Sequence, residues 1–113
     1  MIKQTYLSNL KNLPPGSLRI RVCRPSLLAP PKKLLDEYKS GKISWNEYSD
    51  HFRLQLLANK DAFESLFKLK GLAETRDVYL YCYEKDPRHC HRSILMKILK
   101  DAGAKVEEIP SCP

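Results

Sequence analysis

The 113-residue sequence predicts a small α/β domain, a mainly parallel sheet with helices on its faces, and three observations carry that prediction. Strand-like and helix-like stretches alternate along the chain. Val78-Tyr79-Leu80-Tyr81-Cys82-Tyr83 is apolar and aromatic without a break, as a strand buried inside a sheet reads. Soon after it, Ile94, Leu95, Ile98, Leu99 and Ala102 recur at helical spacing, the stripe of a helix packed on that sheet. Residues 1–113 are expected to form a single domain with a short tail at 110–113.

Met1 to Leu7 reads as a short first strand, and Leu13-Pro14-Pro15-Gly16 as a turn, because proline and glycine fix its backbone. In Leu18 to Arg24 the apolar Leu18, Ile20 and Val22 alternate with Arg19, Arg21 and Cys23, a period of two that marks a strand ended by Pro25. Ser26 to Pro31 is an extended loop suited to line a cleft. Lys32 to Lys39 predicts a short helix stopped by Ser40-Gly41. Ser44-Trp45-Asn46-Glu47 is a capping box, with Trp45, Tyr48, Phe52 and Leu56 following on one face. That aromatic stripe reads as core, and only Tyr48 and His51 carry polar tips that can leave it. A third helix is expected over Lys60 to Leu69, burying Ala62, Phe63, Leu66 and Phe67 and ended by Gly71. After the strand at Val78 and its helix, Gly103 caps and Ala104 to Ile109 offers a final strand.

The totals limit the function classes. An apolar fraction of 42% suits a packed core and is too high for a disordered chain. No apolar run approaches the roughly 20 residues that cross a bilayer, and the N-terminus has no apolar core of a secretory signal. The expectation is therefore a cytoplasmic protein with no membrane partner, its four cysteines kept as thiols. The net charge of +7 is unevenly placed. Met1 to Leu35 holds seven basic residues and no acid, while the remaining 78 residues hold 13 of each sign and cancel. Such a local field attracts phosphates or nucleic acid, or is simply a solvated rim.

The chemistry concentrates between the strand at Val78 and the next helix, where Cys82, Glu84, Arg88, His89, Cys90, His91 and Arg92 crowd the carboxyl end of a strand. In α/β folds ligands bind there, beside free helix N–H groups. Cys82 or Cys90 is the candidate nucleophile, since cations and a helix start stabilise a thiolate. His91 is the candidate proton carrier, and Glu84 can orient a histidine or accept a proton. Arg92, Arg88 and Arg24 are candidate anion-binding residues, Arg24 reaching over from the end of its own strand. The spacing from Cys82 to Arg88 matches cysteine phosphatases and rhodaneses, but the bulky, proline-containing loop between them does not let successive N–H groups converge. Three other readings stand beside the nucleophile: metal ligation by Cys82, His89, Cys90 and His91, a Cys82–Cys90 disulfide, and plain packing. Against metal, adjacent residues seldom ligate one ion and C-x7-C is not a zinc-knuckle spacing. Because consecutive side chains on a helix point about 100° apart, Cys90, His91 and Arg92 cannot all face one point. No metal and no cofactor is expected. Nor is there a recognition helix or an exposed aromatic-basic run for stacked bases.

The segment Tyr81-Cys82-Tyr83-Glu84-Lys85-Asp86-Pro87-Arg88-His89-Cys90-His91-Arg92-Ser93-Ile94-Leu95 resembles the signature of family 488 of the domains of unknown function, C-x-E-K-x-P-x-x-C-H-R-x-x-L. The stretch from Ser26 to Tyr48 resembles the short form of the family. Upstream, the family's Asp-x-Arg-Pro is matched by Val22-Cys23-Arg24-Pro25, with valine where the aspartate is expected. The resemblance implies a Rossmann-like fold and a site made of Cys82, Glu84, Cys90, His91, Arg92 and Arg24. It implies no reaction. From the residues, the leading expectation is an enzyme acting on a small phosphate- or carboxylate-bearing molecule. The alternative is a nucleic-acid-binding or adaptor protein using the basic first third, with thiol redox or metal sensing third.

Overall fold

A computed structural model describes residues 1–84 and 90–108. Three parallel strands form one sheet in the order β1 (Ile2–Tyr6), β3 (Val78–Cys82), β2 (Leu18–Arg21). The unbroken apolar-aromatic segment takes the central place because it alone is flanked on both sides. Register runs from Ile2 and Leu18, both opposite Val78, up to Tyr6 opposite Cys82. All three carboxyl ends therefore lie along one edge, and Val22 extends the β2 pairing by donating its N–H to the Tyr81 carbonyl at 3.0 Å. A 3₁₀ helix, Leu7–Asn12, follows β1.

The helices are α1 (Lys32–Lys39), α2 (Trp45–Ala58), α3 (Lys60–Leu72) and α4 (His91–Asp101). At Gly41 (φ +82) the left-handed backbone that closes α1 favours glycine. Ser44 and Glu47 form both bonds of the capping box at the start of α2. Asn59 caps α3 by accepting from the N–H groups of Asp61 and Ala62. Helix α4 is buried almost all round, only Lys97, Lys100 and Asp101 being exposed, because it lies between the sheet and α2. Leu95 and Leu99 on α4 meet the face of Ile2, Val78 and Leu80, all at most 1% exposed. Each such side chain contributes about 1.5–3 kcal/mol by leaving water.

Three sequence expectations need correction. Helix α3 does not end at Gly71, which keeps an ordinary backbone, but runs on to Leu72. Its buried stripe is Ala62, Leu66 and Leu69, whereas Phe63 and Phe67 are 50% and 67% exposed. The helix is rotated so that its small and branched residues meet the neighbouring helices, and the bulky rings flank a shallow apolar groove with Leu57 and Ile98. The strand expected over Ala104 to Ile109 is a single bridge from Val106 to Ile2. Beyond it the Glu107 carboxylate, not a main-chain carbonyl, accepts the Gln4 N–H at 3.0 Å, so the ladder stops after one rung. Ile109 and the tail lie outside the described residues. No helix among them is long and apolar enough to cross a membrane.

Candidate functional site

Cys82 ends the central strand, and Cys90 and His91 begin the helix that packs beneath it, so the fold itself brings the three together. Their two Sγ atoms and a ring nitrogen of His91 all lie within 4.8 Å of one another. Cys90 is the N-cap of α4, with extended backbone (φ −110, ψ 144). It is therefore not bound by the 100° rule that separates neighbours on a helix, and its sulfur turns back to lie 3.8 Å from Nδ1 of His91. The distance between the adjacent residues is short because one of them is not yet helical.

His91 is oriented from the other side. Its Nε2 donates to the Val22 carbonyl at 2.5 Å, which places the proton on Nε2 and leaves the Nδ1 lone pair facing the sulfurs. Phe52 packs edge-on against the imidazole at 5.8 Å. Burial lowers the His91 pKa, so the ring is neutral near pH 7. The valine that stands in place of the family's aspartate is itself fully buried, and it is its main chain that positions the histidine.

The two thiols shift each other in opposite directions. The Cys90 thiol donates to the Cys82 sulfur, and that contact, with main-chain N–H groups of Glu84 and Tyr83, holds Cys82 well below an ordinary thiol. The same contact pushes Cys90 up, since giving up its proton would set two negative sulfurs side by side. Within the pair the negative charge is thus favoured on Cys82 and the proton on Cys90. Tyr48 of α2, 1% exposed, lies close enough that burial first, and then Cys90 and Cys82, raise its hydroxyl pKa and keep it protonated.

These groups open onto a cavity of about 540 Å³ lined by Cys23, Arg24, Lys39, Tyr48 and Glu84 among others. Arg24, expected to reach this edge, does line the cavity, and its peptide bond to Pro25 is cis. Exposed Glu84 sits at the rim. Arg21 braces the mouth by donating to the Arg24 carbonyl at 2.9 Å and to the Tyr83 hydroxyl at 3.0 Å. Arg92, expected as an anion clamp, is 1% exposed and does not line the cavity. Its Nη1 donates to the Thr5 carbonyl on β1, while Nε and Nη2 have no hydrogen-bond partner among the described residues. The guanidinium lies beneath the site as a buried charge. Arg88 and His89 lie outside the described residues.

Cys23 and Lys39 line the same cavity and were not among the sequence candidates. The alternation of Leu18 to Arg24 carried the signal for Cys23, since it put a second thiol at the carboxyl end of a strand. Lys39 gave none, as its place depends on how α1 folds over the sheet edge. Cys82, Cys90 and His91 are also the described residues whose donor atoms could hold one soft metal ion.

A family model described as the active DUF488-N3 subclade matches residues 19–103, from the edge strand β2 to just past the end of α4. No curated protein and no solved structure matches the chain.

Proposed function

The chain belongs to the DUF488 family, and from that premise we propose that it is a cysteine-dependent enzyme acting on a small anionic molecule. The observation that carries the reading is the Cys82–Cys90–His91 cluster, two sulfurs and an imidazole nitrogen within 4.8 Å, at the mouth of a cavity that also holds Arg24 and Lys39. The subclade's description as active agrees with it.

In this mechanism the two cations seat the anion. The Cys82 thiolate attacks its electrophilic centre, forming a bond from sulfur to that atom. The leaving group departs with the bonding electrons and takes the Cys90 proton, which is no longer held by a negative sulfur. A water then attacks the adduct while Nδ1 of His91 accepts its proton and passes it to Cys90, restoring the shared-proton pair. The expected result is that inorganic phosphate slows alkylation of Cys82, and that Arg24→Ala and Lys39→Ala each weaken this protection. If Cys82 reacts readily and phosphate at high concentration leaves its rate unchanged, the anion site is wrong.

A second reading has its own observation. The sheet face away from α4 carries two cross-strand rows, Lys3–Tyr79–Arg19 and Thr5–Tyr81–Arg21. Tyr79 and Tyr81 are half-buried, Arg19 and Arg21 exposed, and Arg21 lies over the 61%-exposed Tyr83 ring at 5.5 Å. Aromatic rings two residues apart, flanked by cations, suit stacked bases and their phosphates. This is the exposed aromatic-basic surface that the linear sequence does not display, because pairing of separate strands assembles it. In this reading a labelled single-stranded oligonucleotide binds with steep salt dependence, and Arg19→Ala lowers the log–log slope by about 0.7. A flat salt dependence rules it out.

A further inference from the structure

We propose that Cys82, Cys90 and His91 form a binding site for a zinc-like soft cation, three protein ligands with the fourth position open to the cavity. The inference goes beyond the catalytic reading and does not rest on it, since the donors converge whether or not Cys82 attacks a substrate.

The donor set is the first reason. Thiolate sulfur and imidazole nitrogen select soft and borderline cations, and two cysteines with one histidine and an open position form a known catalytic zinc arrangement. Spacing is the second. Tetrahedral bonds of about 2.3 Å set two sulfurs about 3.8 Å apart. A sulfur and a nitrogen on one such ion stand about 3.6 Å apart. Cys90 Sγ and His91 Nδ1 are at 3.8 Å, and no separation in the trio exceeds 4.8 Å, so closing on an ion takes shifts of about 1 Å.

The hydrogen bond that holds the histidine ring is the third reason. A ligating histidine usually donates its other ring N–H to a carbonyl or carboxylate, which fixes the tautomer. Here Nε2 donates to the Val22 carbonyl, so Nδ1 is presented as a ligand without rearrangement. Two of the donors are set by rigid elements, the end of the central strand and the first turn of a buried helix. The fourth position faces the cavity, where a water or an anion can complete the shell. Metal on the two sulfurs masks the nucleophile, so the thiol enzyme and the metal form are exclusive states of one site.

The test uses the full chain, stripped of metal under reducing conditions, and titrated with Co(II), then with Zn(II) in competition with a chromophoric chelator. One equivalent of Co(II) is expected, with sulfur-to-metal charge-transfer absorption that Zn(II) removes. Cys82→Ser, Cys90→Ser and His91→Gln should each lose more zinc affinity than the roughly 10–100-fold that losing a ligand's supporting hydrogen bond costs. Unchanged affinity in the two cysteine variants, or far less than one equivalent bound, overturns the site. If a variant does not fold, alkylation of the wild-type protein decides. Zinc should block Cys82 and Cys90 together and leave Cys23 at its own rate, and blocking neither or only one overturns the proposal. A protein that binds zinc yet shows no activated Cys82 when metal-free would instead remove the catalytic reading and keep this one.

Discussion

The neutral, buried His91 makes stability depend on pH in a calculable way. Because burial lowers its folded pKa, the unfolded chain takes up the proton first as pH falls. The contribution is complete above the unfolded value of about 6.5 and is lost as pH drops from there towards the folded value. An imidazole that stays neutral in the fold makes the protein lose about 1.4 kcal/mol between about pH 7.5 and about pH 5.5 from this group alone. The thiolate on Cys82 titrates in the same direction, so the comparison belongs on a Cys82→Ser background. Urea unfolding of that variant, with and without His91→Gln, isolates the histidine. The expected result is a larger fall when His91 is present, by at most about 1.4 kcal/mol, on top of a constant offset of about 1–3 kcal/mol from the Val22 carbonyl left without its donor. Equal pH dependence in the two proteins refutes a buried neutral His91.

Two further changes test the helices. Leu66→Ala should cost about 2–5 kcal/mol in chemical unfolding, while Phe67→Ser should stay within about 0.5 kcal/mol, because one side chain is in the core and the other is 67% exposed; comparable costs would mean α3 is turned the other way. Ser44→Ala should lower stability by about 1 kcal/mol through loss of the capping box and leave Cys82 reactivity unaltered, which a thermal melt and an alkylation rate read together.

Much of the fold was legible because it follows local rules. The unbroken apolar run became the central strand, the alternation in Leu18 to Arg21 became an edge strand, and the Ser44–Glu47 box started a helix at Trp45. Phe63 and Phe67 misled because apolar spacing at i and i+4 does not say which of two adjacent stripes, 62-66-69 or 63-67, turns inwards. Packing against the other helices decides that, and it is not written locally. The site shows the same division. Cys82, Cys90 and His91 sit together as the strand–loop–helix reading implied. Cys90, His91 and Arg92 do not all face one point, yet Cys90 and His91 meet, because the N-cap residue is extended and only its successors are helical. Arg92 turns instead to the Thr5 carbonyl on β1. Cys23, Lys39 and the tyrosine–arginine face come from distant segments, and only the sheet order and helix packing assemble them.

The central claim is that Cys82 carries a thiolate sustained by Cys90. Site-resolved alkylation across pH, read by peptide mass on metal-free protein, tests it most directly in the wild type and in Cys90→Ala. The account predicts a Cys82 midpoint well below the free-cysteine value of about 8.5 in the wild type, moving up when the Cys90 donor is gone. A Cys82 midpoint at or above about 8.5 in both proteins would contradict it, and the two sulfurs would then be packing.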